Sequence, residues 1–487
     1  MSPELQLLLA VFLPLAGALG IALAGRWPNL RETVTLVTAV GLMALVWGFL
    51  PQLLAGERPE VVLKEMLPGL SIAFRIEPLG MIFACLASLL WIVNSVYSIG
   101  YMRGNNEKHQ TRFYVCFGIA LSAAIGVAFA ANMLTLFICY EVLTISTYPL
   151  VAHKGDQHSV RQARVYMGIL LATSIGLMLP AMIWTYALAG TLEFTPGGIL
   201  EGRIEGPLLG LLLFLFVFGV GKAAVMPVHR WLPAAMVAPT PVSALLHAVA
   251  VVKAGVFTIT KLIVYLFGPE FLFSQSGTEW LLYAACFTII AASVIALRQT
   301  NLKRMLAYST VGQLSYVVMA AVLLTPISQV GTALHILAHG FGKITLFFAA
   351  GAIYTAAKKT ELDQLYGIAR RMPFTMVAFT IGALSMIGVP PTAGAVSKWF
   401  ILGGALETQN LVVVFTLVAS TVLNCAYFLP VIYRAFLREE NVPSKKGDHG
   451  EAPLPAVLAL CTTALLTIAF FFFNAPALEL ETQMLAQ

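Results

Sequence analysis

Five lysines, Lys222, Lys253, Lys261, Lys343 and Lys398, fall inside long apolar segments of the 487-residue chain, and so does the acid Glu141, within LTLFICYEVLTIST. An ionised side chain at the centre of a bilayer costs about 2.5–3.5 kcal/mol on insertion scales. Five unrelieved lysines would then cost about 12–18 kcal/mol, more than the ~5–15 kcal/mol that holds a typical protein folded. Relief has to come from partner charges, internal water or loss of the proton, and each of these makes the group a titratable part of a polar interior path. The alternative is snorkelling, with the ammonium reaching the membrane surface on its long stem. That suits Lys261, near the end of its segment, where replacement by alanine should be nearly silent; it does not suit Lys222, Lys253 or Lys398.

Histidines extend the pattern. LHILAHGFGKI places His335, His339 and Lys343 at i, i+4 and i+8, one stripe along a helix, and LLHAVAVVKAG sets His247 ahead of Lys253. Histidine titrates near neutrality, and burial lowers a lysine pKa by several units, so together these groups take up and release protons at cellular pH. A His-x-x-x-His pair also suits a transition metal, or simply a satisfied structural role. With Lys343 one turn further on and Glu141 the only acid expected at depth, neither a resident metal nor another cofactor is expected.

These groups must be held by membrane helices. Hydrophobic residues make up 59% of the chain and charged ones 11%, against about a quarter charged in a soluble domain. Fourteen apolar runs approach the ~20 residues needed to span a bilayer: 5–24, 34–54, 79–99, 113–130, 132–151, 163–188, 208–228, 240–266, 280–297, 304–323, 328–355, 373–403, 411–436 and 455–473. In lipid each must be helical, because only helices and closed barrels satisfy every backbone polar group. The expected fold is therefore an all-α polytopic membrane protein without a separate soluble domain. Glu4 precedes the first run and no basic stretch leads into it, so that run reads as a retained span rather than a cleaved signal. The stretches 51–78 and 189–207, mixed in charge and containing Gly and Pro, read as connectors.

Two segments are interrupted. VMPVHRWLP breaks segment 7 and SMIGVPPTAGAVSKWF breaks segment 12. Proline inside a helix frees carbonyls, which membrane depth tolerates only beside protein or water. Paired broken helices in two halves mark inverted-repeat transporters. The spacing predicts two inverted five-helix units, segments 4–8 (113–266) and 9–13 (280–436), preceded by segments 1–3 (1–112) and followed by segment 14 and a tail (455–487). Lys222 precedes one break and Lys398 follows the other.

Of the 29 lysines and arginines, 20 lie in loops after odd-numbered segments, Lys445 and Lys446 among them, and four in loops after even-numbered ones. The positive-inside rule puts the crowded side in the cytoplasm and both termini outside a cell or inner membrane. The net charge of +6 then reflects topology, not nucleic-acid binding. The six cysteines stand singly on six segments, without the spacing of disulfide scaffolds or iron–sulfur ligation.

The blocks CYEVLTISTYPLV, GKAAVMPVHRWLPAAMVAPTPVSALLHAVAVVKAG, NLKRMLAYSTVGQLSYV, HILAHGFGKITLFF and GVPPTAGAVSKW occur in an order that resembles the antiporter-like subunits of Mrp cation/proton antiporters and respiratory complex I, over residues 75–435. The resemblance is greatest to the Mrp D subunit. A lysine at position 398 fits that subunit where one complex I relative has glutamate, and the chain ends soon after segment 14. The resemblance implies an ion pair between Glu141 and Lys222, a link through His247 and Lys253, a central relay of His335, His339 and Lys343, and an exit gated by Lys398. It implies partner membrane subunits in a hetero-oligomer, the bilayer as surroundings, and protons with sodium as cargo; no carboxylate cluster suggests a sodium cage. The alternatives are the same proton-pumping module in a complex I-type NADH:quinone oxidoreductase or membrane-bound hydrogenase, an intramembrane metalloenzyme using His335 and His339, and an inert scaffold.

Overall fold

The computed structural model describes residues 1–439 and 450–485; Lys445 and Lys446 lie outside the described residues. Every one of the fourteen apolar segments is helical: α1 Pro3–Leu23, α2 Pro28–Trp47, α3 Pro78–Gly104, α4 Gln110–Phe129, α5 Met133–Val151, α6 Gln157–Ala189, α7 Gly206–Gly219, α8 Thr240–Phe267, α9 Trp280–Leu297, α10 Leu302–Ala321, α11 Pro326–Ala357, α12 as two halves Pro373–Ile387 and Ala393–Glu407, α13 Leu411–Leu437 and α14 Leu454–Phe472. A terminal helix, α15, covers Ala475–Leu485. Among the described residues, eleven helices are long and apolar enough to cross a membrane by length and composition, with α7 and the first half of α12 shorter.

Helix starts follow local chemistry. Asn132, Asp156, Asn301 and Asn410 cap α5, α6, α10 and α13 by accepting from the backbone N–H three residues on. Thr325 and Ser328 form a reciprocal capping box at the start of α11, whose first residue is proline.

The helices are layered by burial. The most apolar stretches of α8 and α11 are buried throughout, whereas those of α1, α2, α6 and α14 are about one-third buried. The molecule therefore has two axial helices wrapped by the rest, and these two carry His247, Lys253, Lys261, His335, His339 and Lys343. α11 packs against α3, α10, both halves of α12 and α14, while α8 packs against the break after α7 and against α10. One continuous apolar core runs from Leu7 to Leu480.

One expected connector holds structure. Glu60–Leu67 (β1) and Leu70–Arg75 (β2) form an antiparallel hairpin turned at Pro68–Gly69. Glycine is required at that turn: Gly69 has φ +72°, and a Cβ there would sit 2.6 Å from the Gly190 carbonyl oxygen. The connector 189–207 closes over the end of α8, Thr195 and Ile199 donating to the carbonyls of Tyr265 and Leu266.

Candidate proton-transfer site

The two interruptions hold their lysines differently. α7 ends at Gly219, a single tight turn covers Gly221–Ala223, and Ala224 takes a left-handed conformation at φ +57°. Lys222 thus lies within the break. It is fully buried, and its Nζ donates to the Tyr140 carbonyl at 2.8 Å and to Thr144 Oγ1 at 2.6 Å, 3.0 Å from the Tyr140 ring centre. Its backbone N–H donates to the Tyr140 hydroxyl at 3.1 Å. In α12 the gap between Ile387 and Ala393 frees the carbonyls of Met386 and Ile387, which accept from Lys398 Nζ at 2.9 and 2.8 Å.

Glu141 is one residue beyond Tyr140, about 100° further round α5. Its buried carboxylate oxygens accept no hydrogen bond among the described residues, and no ion pair joins it to Lys222. The two interact through electrostatics alone. Its neighbours on that face, Ile138 and Ile145, are 41% and 57% exposed.

The axial helices supply the middle of the site. His247 sits in a wide π-turn, Leu245–Val249, a geometry often found where a helix bends to serve function. Its Nδ1 is 3.0 Å from Thr310 Oγ1, and its ring packs on Phe347. Lys253 Nζ donates to His339 Nδ1 at 2.7 Å, joining α8 to α11. The His339 and His335 rings stack at 6.4 Å. His335 Nε2 donates to Gln313 Oε1 at 3.1 Å and its Nδ1 lies 2.9 Å from Ser397 Oγ. Gln313 Nε2 then reaches the Met386 carbonyl at 3.4 Å, the acceptor that Lys398 also uses.

A second branch reaches the same carbonyl. Lys343 Nζ donates to Ser309 Oγ at 2.7 Å, and Tyr427 donates to Ser309 Oγ at 2.9 Å. Tyr427 also contacts Asn424 Oδ1, and Asn424 Nδ2 donates to the Met386 carbonyl at 3.3 Å. Two polar threads, one from Lys253 and one from Lys343, converge beside Lys398. A carbonyl accepts a proton bond but does not pass a proton on, so the last step into Lys398 needs water or motion at the α12 break.

The structure thus joins Lys253 to His339, which only stacks on His335, gathers His335, Lys343 and Lys398 around the Met386 carbonyl, places His247 against α10, and holds Lys222 apart at its own break with Glu141 alongside. Ser309, Gln313, Asn424 and Tyr427 are members that sequence reasoning missed. Two expectations are overturned. Lys222 Nζ binds the Tyr140 carbonyl and Thr144 and forms no ion pair with Glu141. Lys261 does not reach an interface: it is fully buried, with Nζ donating to the Ala130 carbonyl at 2.6 Å and lying 2.9 Å from Glu77 Oε2.

Two broken helices, each with a lysine at its break, and a buried row of lysines and histidines on two axial helices give a polytopic helical membrane fold with a polar interior. Comparison with known proteins gives its family. Residues 130–424 match the transmembrane family described as NADH:quinone oxidoreductase/Mrp antiporter. NADH-quinone oxidoreductase subunit N of Desulforudis audaxviator is 31% identical over 455 residues, 92% of this chain and 89% of that protein. Subunit L of Mycobacterium tuberculosis is 30% identical over 421 residues, covering 83% of this chain and 64% of its own length. The chain therefore belongs to the antiporter-like subunit family shared by Mrp antiporters and NADH:quinone oxidoreductases. Among solved structures, a chain of the Mrp complex from Dietzia sp. DQ12-45-1b has the same fold, with a TM-score of 0.87 at 21% identity over 99% of this chain and 97% of that one. A chain of an archaeal membrane-bound sulfane sulfur reductase aligns at a TM-score of 0.86 and 24% identity over 98% of this chain and 96% of that one. These matches are subunits of multisubunit membrane complexes.

Proposed function

We propose that this chain is a proton-translocating subunit of a multisubunit monovalent cation/proton antiporter, with sodium as the cation, working beside other membrane subunits. The observation that carries the reading is the convergence of the Lys253–His339–His335–Gln313 and Lys343–Ser309–Tyr427–Asn424 threads on the carbonyl that holds Lys398. Protons enter at Lys222, whose affinity Glu141 tunes through space, cross the centre through His247, Lys253, His339, His335 and Lys343, and leave at Lys398. Each unit by which a moving counter-charge shifts a lysine pKa is about 1.4 kcal/mol, so a few ångströms of motion by Glu141 load or empty Lys222. The two five-helix repeats place one break and one lysine in each half. The basic loops face the cytoplasm of a cell or inner membrane, with the hairpin and both termini outside.

The second reading is the same module in a redox-driven complex, which the 31% identity to a subunit N favours. The chain then still moves protons and leaves redox chemistry to its partners. The proteins that co-purify separate the two: small antiporter subunits for the first, quinone-reductase or hydrogenase subunits for the second. For the antiporter, Lys222→Ala and Glu141→Ala should abolish sodium-dependent proton movement in inverted vesicles while the complex still assembles. Full transport by both variants rejects the assigned pair.

A further inference from the structure

The hairpin end of the molecule holds a buried ionic cluster that the proton thread does not use. Glu77, at the start of α3, has Oε1 bound by Arg75 at 2.9 and 3.1 Å, while Oε2 faces Lys261 Nζ at 2.9 Å without an aligned hydrogen bond. Tyr265 is 1% exposed and lies one turn beyond Lys261 on α8; its hydroxyl has no hydrogen-bond partner among the described residues and interacts electrostatically with Glu77, Glu481, Arg58 and Arg75. Glu481 on α15 is fully buried, and neither carboxyl oxygen has a hydrogen-bond partner among the described residues. Burial pushes its carboxyl well above the usual range. From the hairpin and the 189–207 connector, Glu60 and Glu193 face Arg75.

Tyr265 also lines a cavity of about 550 Å³, together with Glu201, Glu270, Ser274, Gln329 and Leu485. Leu485 is one turn beyond Glu481 on α15, so the cavity reaches the same helix face. Glu201 and Glu270 are exposed, and Gln329 Oε1 is buried without a partner among the described residues. Water therefore has polar footing next to the tyrosine. Arg58, Arg75 and Lys261 surround the carboxylates with positive charge, which opposes a metal cation and leaves the proton as the mobile unit.

We propose that Glu481, Tyr265, Glu77 and Lys261 form a second proton-exchange site, at the hairpin end of the molecule, loaded from water through this cavity. Protons pass between the Glu481 carboxyl, the Tyr265 hydroxyl and the Glu77 carboxylate through water from this cavity, the Tyr265 hydroxyl giving up its own proton as it takes one, so the tyrosine stays a neutral phenol; the reverse transfer restores the site. The site rests on the proposed function only in taking the hairpin end as one aqueous face of the membrane.

Infrared spectroscopy of the purified complex tests it. Wild type should show a protonated carboxyl band that persists above pH 7 and disappears in Glu481→Gln. Tyr265→Phe, which preserves the ring packing, should keep the band but slow its exchange into D₂O by at least about tenfold, the scale at which a positioned acid–base group contributes. An unchanged band in Glu481→Gln, or wild-type exchange in Tyr265→Phe, overturns the site. Lys222→Ala should leave band and exchange untouched while stopping transport, so failure here and failure of the proposed pathway are told apart.

Discussion

Gly255→Ala is the smallest change that should disable Lys222 without touching it. Gly255 lies two residues after Lys253 on α8, where α8 crosses the break after α7. A Cβ at that position would sit 2.3 Å from the Ala223 nitrogen, 2.4 Å from the Lys222 carbonyl carbon and 2.8 Å from its oxygen. Carbon contacts settle near ~3.5–4.0 Å, so the two backbones must separate by about 1 Å or more. All three atoms are backbone and cannot rotate away. The bonds of Lys222 Nζ at 2.6 and 2.8 Å leave no slack for such a shift. Overpacking of this kind costs about 1–3 kcal/mol, so the complex should still assemble. A misplacement of about 1 Å in a transfer geometry costs about 10²-fold in rate. Sodium-driven pH change in inverted vesicles should therefore fall by about two orders of magnitude in Gly255→Ala. Gly168→Ala on α6, where an added Cβ meets nothing within 4 Å, is the control and should transport as wild type does. A fully active Gly255→Ala would refute the claim that the Lys222 position at the break matters.

Three further outcomes are expected. Tyr427→Phe removes the hydroxyl that links Ser309 to Asn424 and should slow vesicle transport by about tenfold; an unaltered rate would remove the Lys343 branch from the pathway. Lys261→Ala leaves Glu77 with a buried oxygen and no counter-charge on that side, so the melting temperature of the complex should drop by an amount matching about 3–5 kcal/mol, and an unchanged melt would put Lys261 back at an interface. His153, after α5, is held down to about 4 by burial and by the neighbouring Arg112, below the ~6.5 of an unfolded histidine. The unfolded chain therefore binds the proton first: stability is intact above about pH 6.5 and is lost as pH falls toward 4. His153→Phe, packed on Phe113, should melt with a smaller difference between pH 7 and pH 5 than wild type; an equal difference contradicts the assignment.

The helices were legible because apolar runs of bilayer length leave the backbone one solution, and both breaks were legible because proline cannot continue a helix. The lysines and histidines stood out by their charge in apolar surroundings. Their neutral partners did not. Thr144 and Thr310 also bond the carbonyl four residues back, the routine fate of a helix hydroxyl, so nothing in the sequence separates a relay threonine from a satisfied one. Ser309 and Gln313 do share a face at i and i+4, as Asn424 and Tyr427 do at i and i+3, a weak signal against α10 and α13 as a whole. Lys261 was misread because its partner, Glu77, is the cap residue just before α3, where an acid reads as a loop residue; the hairpin and the 189–207 connector lie beside it. The hairpin escaped because β1 is exposed along nearly its whole length and so lacks an alternating burial pattern, leaving Pro68–Gly69 as its one turn signal.

The central claim is that protons pass from the α7 break to the α12 break through connected polar groups. Cryo-electron microscopy of the assembled complex, at a resolution that shows ordered water, tests this most directly. Water should bridge Lys222 to the His247–Lys253 region and complete the step between the Met386 carbonyl and Lys398. A dry, close-packed apolar gap at either place, in every state captured, would contradict it.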